Sequence, residues 1–380
     1  MFYIDNTEDL VAICKEIAEK SNTIAIDTEF TKQLEYFPKI SIIQISFFNG
    51  EIIKNCIVDV LADGINLDSL KEIFINKKIK KIFHSCSQDL EGLYKLFNQI
   101  PENIEDTQIM AEFCAMPANL SYVDLIKDTL GIFVKKDKKI QVSDWTIRPL
   151  SQQQLEYATG DVDYLFEIYI KLLQKLDLNK NYQYYRQEIE EKYNQNMIEK
   201  IIKNSSWRRL RFKVGNKTNI YMEAFKAICR LREKIAIQHN IIKNKIFPDP
   251  IIKVLLDKKP QTLDEFNEIF KNDKEISNKP KILKRTIINT YSKIFNKAEI
   301  EKTEEKPYIT ELKDKKLLKK LEEINDYITS ECKKMEINPE IVHNKLDLIA
   351  YLTDSEALED LFYKWKIEVF GKRIKEIKEK

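Results

Sequence analysis

At 380 residues with 43% hydrophobic content, the chain is too long for one ordinary domain and too apolar to be disordered, so two or three domains are expected. Its six cysteines (Cys14, Cys56, Cys86, Cys114, Cys229, Cys332) are scattered without a C-x-x-C pair, which argues against a zinc site or disulfide framework and suits a reducing, cytoplasmic setting. The net charge of +2 hides a division: residues 1–170 hold 17 Lys/Arg against 27 Asp/Glu, a net of −10, and residues 171–380 hold 46 against 34, a net of +12.

No apolar run approaches the roughly 20 residues of a membrane span, and the first residues do not read as a secretory signal, so no membrane partner is expected. Residues 23–27, 40–48 and 52–60 read as three strands in succession. A helical stretch follows near 67–76, then a strand at 80–84 and a helix over 87–97. Strands followed by alternation with helices predict an α/β domain built on a mixed sheet. From about residue 107 the pattern is almost wholly helical. Ser151 to Gln154 matches a capping box, opening a helix whose stripe runs through Leu155, Ala158, Val162, Leu165 and Ile168. Residues 171–205 read as a long polar connecting helix. Further starts are predicted at the Thr262–Glu265 and Thr353–Glu356 capping boxes and at Asn338-Pro339.

Four carboxylates stand out against this frame. Asp27 and Glu29 lie two apart in Ile24-Ala25-Ile26-Asp27-Thr28-Glu29-Phe30, so on a strand both point to one face. Asp89 begins a helix after the strand ending at His84, and Asp161 lies one turn after Tyr157. Charges at the edges of apolar elements are costly unless compensated, and a hard divalent cation is the natural compensation. Such a quartet can hold two Mg²⁺ or Mn²⁺ ions roughly 3.5–4 Å apart, one activating water and one stabilising a leaving oxygen. On this reading Asp27 bridges, Glu29 and Asp161 complete the nucleophile-side ion, and Asp89 serves the other, directly or through water. Tyr157 would orient the attacking water. The acidic front and basic back then fit a metal-binding catalytic unit followed by modules that attract a polyanion.

Asp27-Thr28-Glu29-Phe30, His84-x4-Asp89-Leu90 and Tyr157-x3-Asp161-Val162, with Phe37-Pro38-Lys39-Ile40, Asp106-Thr107-Gln108 and Asp144-Trp145-x2-Arg148-Pro149-Leu150, carry a resemblance. Over residues 20–175 the chain resembles the ribonuclease D group of DEDD exonucleases, in the subclass where tyrosine precedes the last aspartate. The resemblance implies a ribonuclease H-like exonuclease domain over 1–195 and metal-dependent 3′→5′ hydrolysis releasing nucleoside 5′-monophosphates. The remainder resembles two all-α HRDC domains, over 205–278 and 315–380, with a linker at 279–314. By the same resemblance the partner is RNA, with tRNA precursors foremost, and the enzyme is a monomer. A 3′→5′ DNA exonuclease and a non-catalytic RNA-binding scaffold are the alternatives.

Other residues read more plainly. His84 is expected to be satisfied by backbone, Asp106 to tie a loop or helix start, and Trp145 to anchor packing. His239 and His343 read as surface residues. Arg148 either contacts a phosphate or braces its loop, and the Lys run at 135–139 either faces solvent or flanks RNA.

Overall fold

The apolar runs of the first 110 residues assemble a six-stranded mixed sheet. The computed structural model describes residues 2–31, 34–214 and 217–380. The strands are β1 (Phe2–Ile4), β2 (Thr23–Thr31), β3 (Lys39–Phe48), β4 (Ile53–Asp59), β5 (Lys80–Phe83) and β6 (Ile104–Asp106), in the order β1-β4-β3-β2-β5-β6. Only β3 runs against the others. It is buried from Ile40 to Phe47, as expected of a central strand covered on both faces. The four strands read from the sequence are all present. The three-residue strands β1 and β6 are too short to show an alternation, and they were not foreseen.

Around the sheet run α1 (Thr7–Lys20), α2 (Asp68–Ile75), α3 (Ser87–Phe97), α4 (Thr107–Glu112), α5 (Tyr122–Leu130), α6 (Lys138–Gln141), α7 (Gln152–Gly160), α8 (Leu165–Leu178) and α9 (Tyr182–Lys192). The helix expected to continue through Asp161 breaks there. Asp161 and Val162 bond three residues back, to Ala158 and Thr159, which tightens the chain into a turn before α8 begins. The single connector expected over 171–205 is three helices: the end of α8, then α9, then α10 (Met197–Asn204). Lys180 adopts φ +59°, and the buried Asn181 donates its Nδ2 to the carbonyls of Phe113 (3.2 Å) and Met335 (2.7 Å). A side chain that satisfies backbone elsewhere competes with helix continuation.

By internal contacts the chain divides into a unit of Met1–Gln195 with Ile328–Val342, and a second unit of Asn196–Tyr327 with His343–Lys380. Among its described residues the second unit is helical apart from a two-residue strand pair, Lys217–Thr218 with Pro307–Tyr308. The stretch 279–314, expected as linker, carries a 20-residue helix, Lys281–Ile300. Its Ile287, Ile288 and Tyr291 are buried, and it packs on the helix Asn219–His239. Pro280 stands at its N-cap, where no intrahelical N–H is lost. The span 315–380 is likewise divided, because Ile328–Val342 groups with the first unit.

Two other predicted helix starts differ. Thr353 ends the helix Lys345–Leu352, donating its hydroxyl to the Ile349 carbonyl at 2.8 Å. Asn338-Pro339 opens a three-residue 3₁₀ turn. His343 is half-buried and stacks on Phe362 at 6.5 Å, whereas His239 is exposed. All six cysteines are buried and free. Among the described residues no helix is long and apolar enough to cross a membrane.

Candidate active site

Strand alternation puts Asp27 and Glu29 on one face of β2, opposite Gln44 and Ile42 of β3. The ladder slips by one residue between Glu29 and Phe30, so the pair sits where regular pairing ends. Over this face lies α7. Ser151 accepts from the Gln154 N–H at 3.2 Å, and the Gln154 side chain accepts from the Ser151 N–H at 3.0 Å. This is the capping box read from the sequence, and it fixes where α7 begins. One turn from its end, α7 presents Tyr157, and Asp161 is its C-cap. One oxygen from each of Asp27, Glu29 and Asp161 lies within 4.8 Å of the others, close enough to hold a metal ion.

Asp89 reaches the site from the opposite direction, in the first turn of α3. Thr28, whose side chain points to the other face of β2 from Asp27, donates its hydroxyl to the Asp89 carboxylate. The turn before α3 is pinned by Asp106, which accepts from the N–H groups of Ser85 (2.9 Å) and Cys86 (3.2 Å). Asp106 also caps α4 and accepts from the Tyr193 hydroxyl at 3.0 Å. It is therefore a tie, as its sequence position suggested. His84 has both ring nitrogens engaged, with Thr107 at 3.0 Å and the Leu120 carbonyl at 3.1 Å. Burial holds its imidazole below the ordinary value, so it is a neutral structural group.

The segment from 131 to 150 closes the site. Arg148 uses its guanidinium entirely on this segment and the sheet: two bonds of 2.5 Å to Asp59, one of 2.7 Å to the Trp145 carbonyl and one of 3.2 Å to that of Ser41. It braces the loop. Trp145 is buried with Ile42, Ile57, Leu150 and Ala158, and Tyr157 packs against this cluster with its ring 6.0 Å from the Trp145 ring. Lys136, from the same segment, pairs with Asp161. Its ammonium lies 5.0 Å from the Tyr122 ring centroid and 5.1 Å from that of Tyr157.

The cleft has a volume of about 850 Å³, and all five sequence-predicted site residues line it. Its electrostatics are those of crowded acids in a dry place. Burial pushes the Glu29 carboxyl up to about 9, reinforced by the neighbouring Asp27 charge. Asp27 is raised by burial, against the pull of Lys136, and Asp89 by burial and by Asp27. Buried acids that repel one another favour neutral forms unless a cation joins them. Converging oxygen donors of this kind fit Mg²⁺ or Mn²⁺. The donor set therefore suits a divalent cation held by oxygen ligands.

A family model described as 3′-5′ exonuclease matches residues 1–177. Over those residues the chain is similar to that family. Among curated relatives, Ribonuclease D of Bartonella henselae is 29% identical over 261 residues, covering 69% of this chain and 62% of that protein. Ribonuclease D of Escherichia coli is 36% identical over 167 residues, 44% of this chain and 43% of that one. The matched part thus spans less than two thirds of these relatives' length. The crystal structure of Escherichia coli RNase D, described as an exoribonuclease involved in structured RNA processing, aligns with a TM-score of 0.72 at 22% identity, covering 99% of this chain and 97% of that one. The chain is ribonuclease D-like in fold: a ribonuclease H-like exonuclease domain with a helical C-terminal region that fits HRDC domains.

Within this cleft, sequence reasoning missed Lys136, Thr28 and Tyr122. Lys136 is one of four lysines between 135 and 139, and composition cannot say which of them turns inward. Thr28 could have been found, since alternation aims it away from Asp27 and towards the element carrying Asp89.

Proposed function

We propose that the chain is a metal-dependent 3′→5′ exoribonuclease that releases nucleoside 5′-monophosphates from RNA 3′ ends, acting in tRNA 3′ maturation as a cytoplasmic monomer. The observation that carries this reading is the convergence of Asp27, Glu29 and Asp161 within 4.8 Å in an exonuclease-family domain. The ribonuclease D relatives and the net +12 back half support RNA as the polyanion.

Asp27, Glu29, Asp161 and Asp89 would hold two Mg²⁺ or Mn²⁺ ions. When bound, such ions supply an activated water and stabilise the departing oxygen. The protein's own part is to hold the ligands still. The Thr28 hydroxyl fixes Asp89, Asp106 fixes the turn before α3, and the Arg148–Asp59 pair holds the loop over the site. Tyr157, held between Trp145 and Lys136, orients the attacking water with its hydroxyl. Burial and the nearby Glu29 and Asp27 charges keep that phenol well above its ordinary value, hence protonated and able to donate.

Matched RNA and DNA oligonucleotides differing only in the 3′-terminal 2′-hydroxyl test the substrate class. Faster release from RNA is expected. Equal or faster release from DNA would replace this reading with a 3′→5′ DNA exonuclease.

A further inference from the structure

The carboxylate cluster carries its own cation. Lys136 sits on the segment between α5 and α6, an irregular stretch that follows the left-handed cap Gly131. Its ammonium pairs with the same Asp161 that belongs to the three-carboxylate cluster. The Asp27 charge also acts on it. The Lys136 side chain is 24% exposed and that of Asp161 only 5%, so the pair is largely withdrawn from water.

Three physical consequences follow. Buried carboxylates left without a counter-charge are strongly destabilising, so the ammonium stabilises the metal-free centre. The Tyr122 and Tyr157 ring faces, at 5.0 and 5.1 Å, add cation–π attraction and hold the ammonium in place. An ammonium has three donors and no lone pair. Paired with Asp161, it takes up acceptor capacity that a divalent cation would use, and it repels that cation at short range in a low-dielectric cleft.

We infer that Lys136 is a tethered counter-ion: it holds Asp27, Glu29 and Asp161 together in the metal-free protein and must leave Asp161 when a divalent metal binds. This rests on the reading of the cluster as a metal centre. The irregular segment gives the side chain a path outwards, and the rings give it a defined place to return to. Metal uptake is then an exchange of one cation for another rather than a simple addition.

The test measures Mn²⁺ binding by titration calorimetry and melting of the metal-free protein, without substrate, for the wild type, Lys136→Met, Lys136→Arg and Asp161→Asn. Lys136→Met should bind Mn²⁺ about tenfold more tightly, because no ammonium has to be displaced, and its metal-free form should melt lower. Lys136→Arg should return both properties towards the wild type. Lys136→Gln gives the same comparison if the methionine variant does not fold. Unchanged or weaker Mn²⁺ affinity on removing the ammonium, or an unchanged metal-free melting point, overturns the counter-ion role. If the wild type binds no Mn²⁺, or Asp161→Asn binds as the wild type does, the metal-centre reading fails and takes this inference with it. Loss of binding in Asp161→Asn with an unmoved Lys136→Met overturns the counter-ion alone.

Discussion

Thr28 Oγ1 donates a hydrogen bond to Asp89 Oδ1, linking residues 61 positions apart in the chain and joining β2 to the first turn of α3. The bond ties together two of the three separated acidic segments. Asp27 and Glu29 leave one face of the strand, and the Thr28 side chain between them leaves the other to meet Asp89.

Thr28→Val keeps the strand propensity and shape but removes the donor. The buried Asp89 carboxylate then loses a partner, at a cost of about 1–3 kcal/mol in stability. Turnover should fall at least about tenfold as Asp89 loses its fixed position. Thr28→Ser should restore most of both. Denaturant unfolding and exonuclease assays on the three proteins check this, and a fully active Thr28→Val would remove the bond from the account.

Tyr157→Phe keeps the ring packed on Trp145 and beneath Lys136 while deleting the hydroxyl. Turnover should drop about a hundredfold, with Mn²⁺ affinity unchanged. An unaltered rate would make Tyr157 a packing residue and nothing more.

The Arg148–Asp59 pair predicts a pH dependence. Burial alone would raise the Asp59 carboxyl, but hydrogen bonds from Arg148 and Tyr3 outweigh it and hold the group below the usual carboxylate range. A folded value below the unfolded one contributes stability above about pH 4, and that contribution is lost as the pH falls through the depressed folded value. Asp59→Asn should therefore lag the wild type most at neutral pH and converge on it in acid. Arg148→Ala, which strands a carboxylate of only 4% side-chain exposure, should cost about 2–3 kcal/mol, between surface and buried pairs. Urea titrations across a pH series read both effects.

Gly92 lets α3 approach β3. A Cβ there would stand 2.8 Å from Ile40 Cγ1 and 3.3 Å from the Pro38 carbonyl oxygen. Gly92→Ala should destabilise by about 1–3 kcal/mol through overpacking and should slow hydrolysis by shifting the helix that carries Asp89. Adding Ile40→Val should recover part of the loss, the coupling expected of residues in contact.

The front half was legible because its signals are local. An i, i+2 carboxylate pair in an apolar run has one strand reading, and a capping box fixes a helix start to the residue. Ser151 and Gln154 behave as written. What the sequence hid was non-local. Arg148 could not be assigned, since its partner Asp59 lies 89 positions away. Lys136 could not be told from Lys135, Lys138 and Lys139 without the loop's path. The helix Lys281–Ile300 falls in the stretch expected as a partly helical linker, where lysines mask the spacing of Ile287, Ile288 and Tyr291. The expected connector over 171–205 failed because Asn181 spends its side chain on distant carbonyls.

Product analysis on a 3′-extended tRNA precursor, with Mg²⁺, Mn²⁺ or EDTA, tests the central claim most directly when wild type and Asp161→Asn are run side by side. The account predicts stepwise release of nucleoside 5′-monophosphates from the 3′ end by the wild type with either metal. It predicts no release in EDTA and none by Asp161→Asn, although that variant still binds the RNA in Ca²⁺. Release that survives EDTA, or an Asp161→Asn protein as active as the wild type, would contradict it.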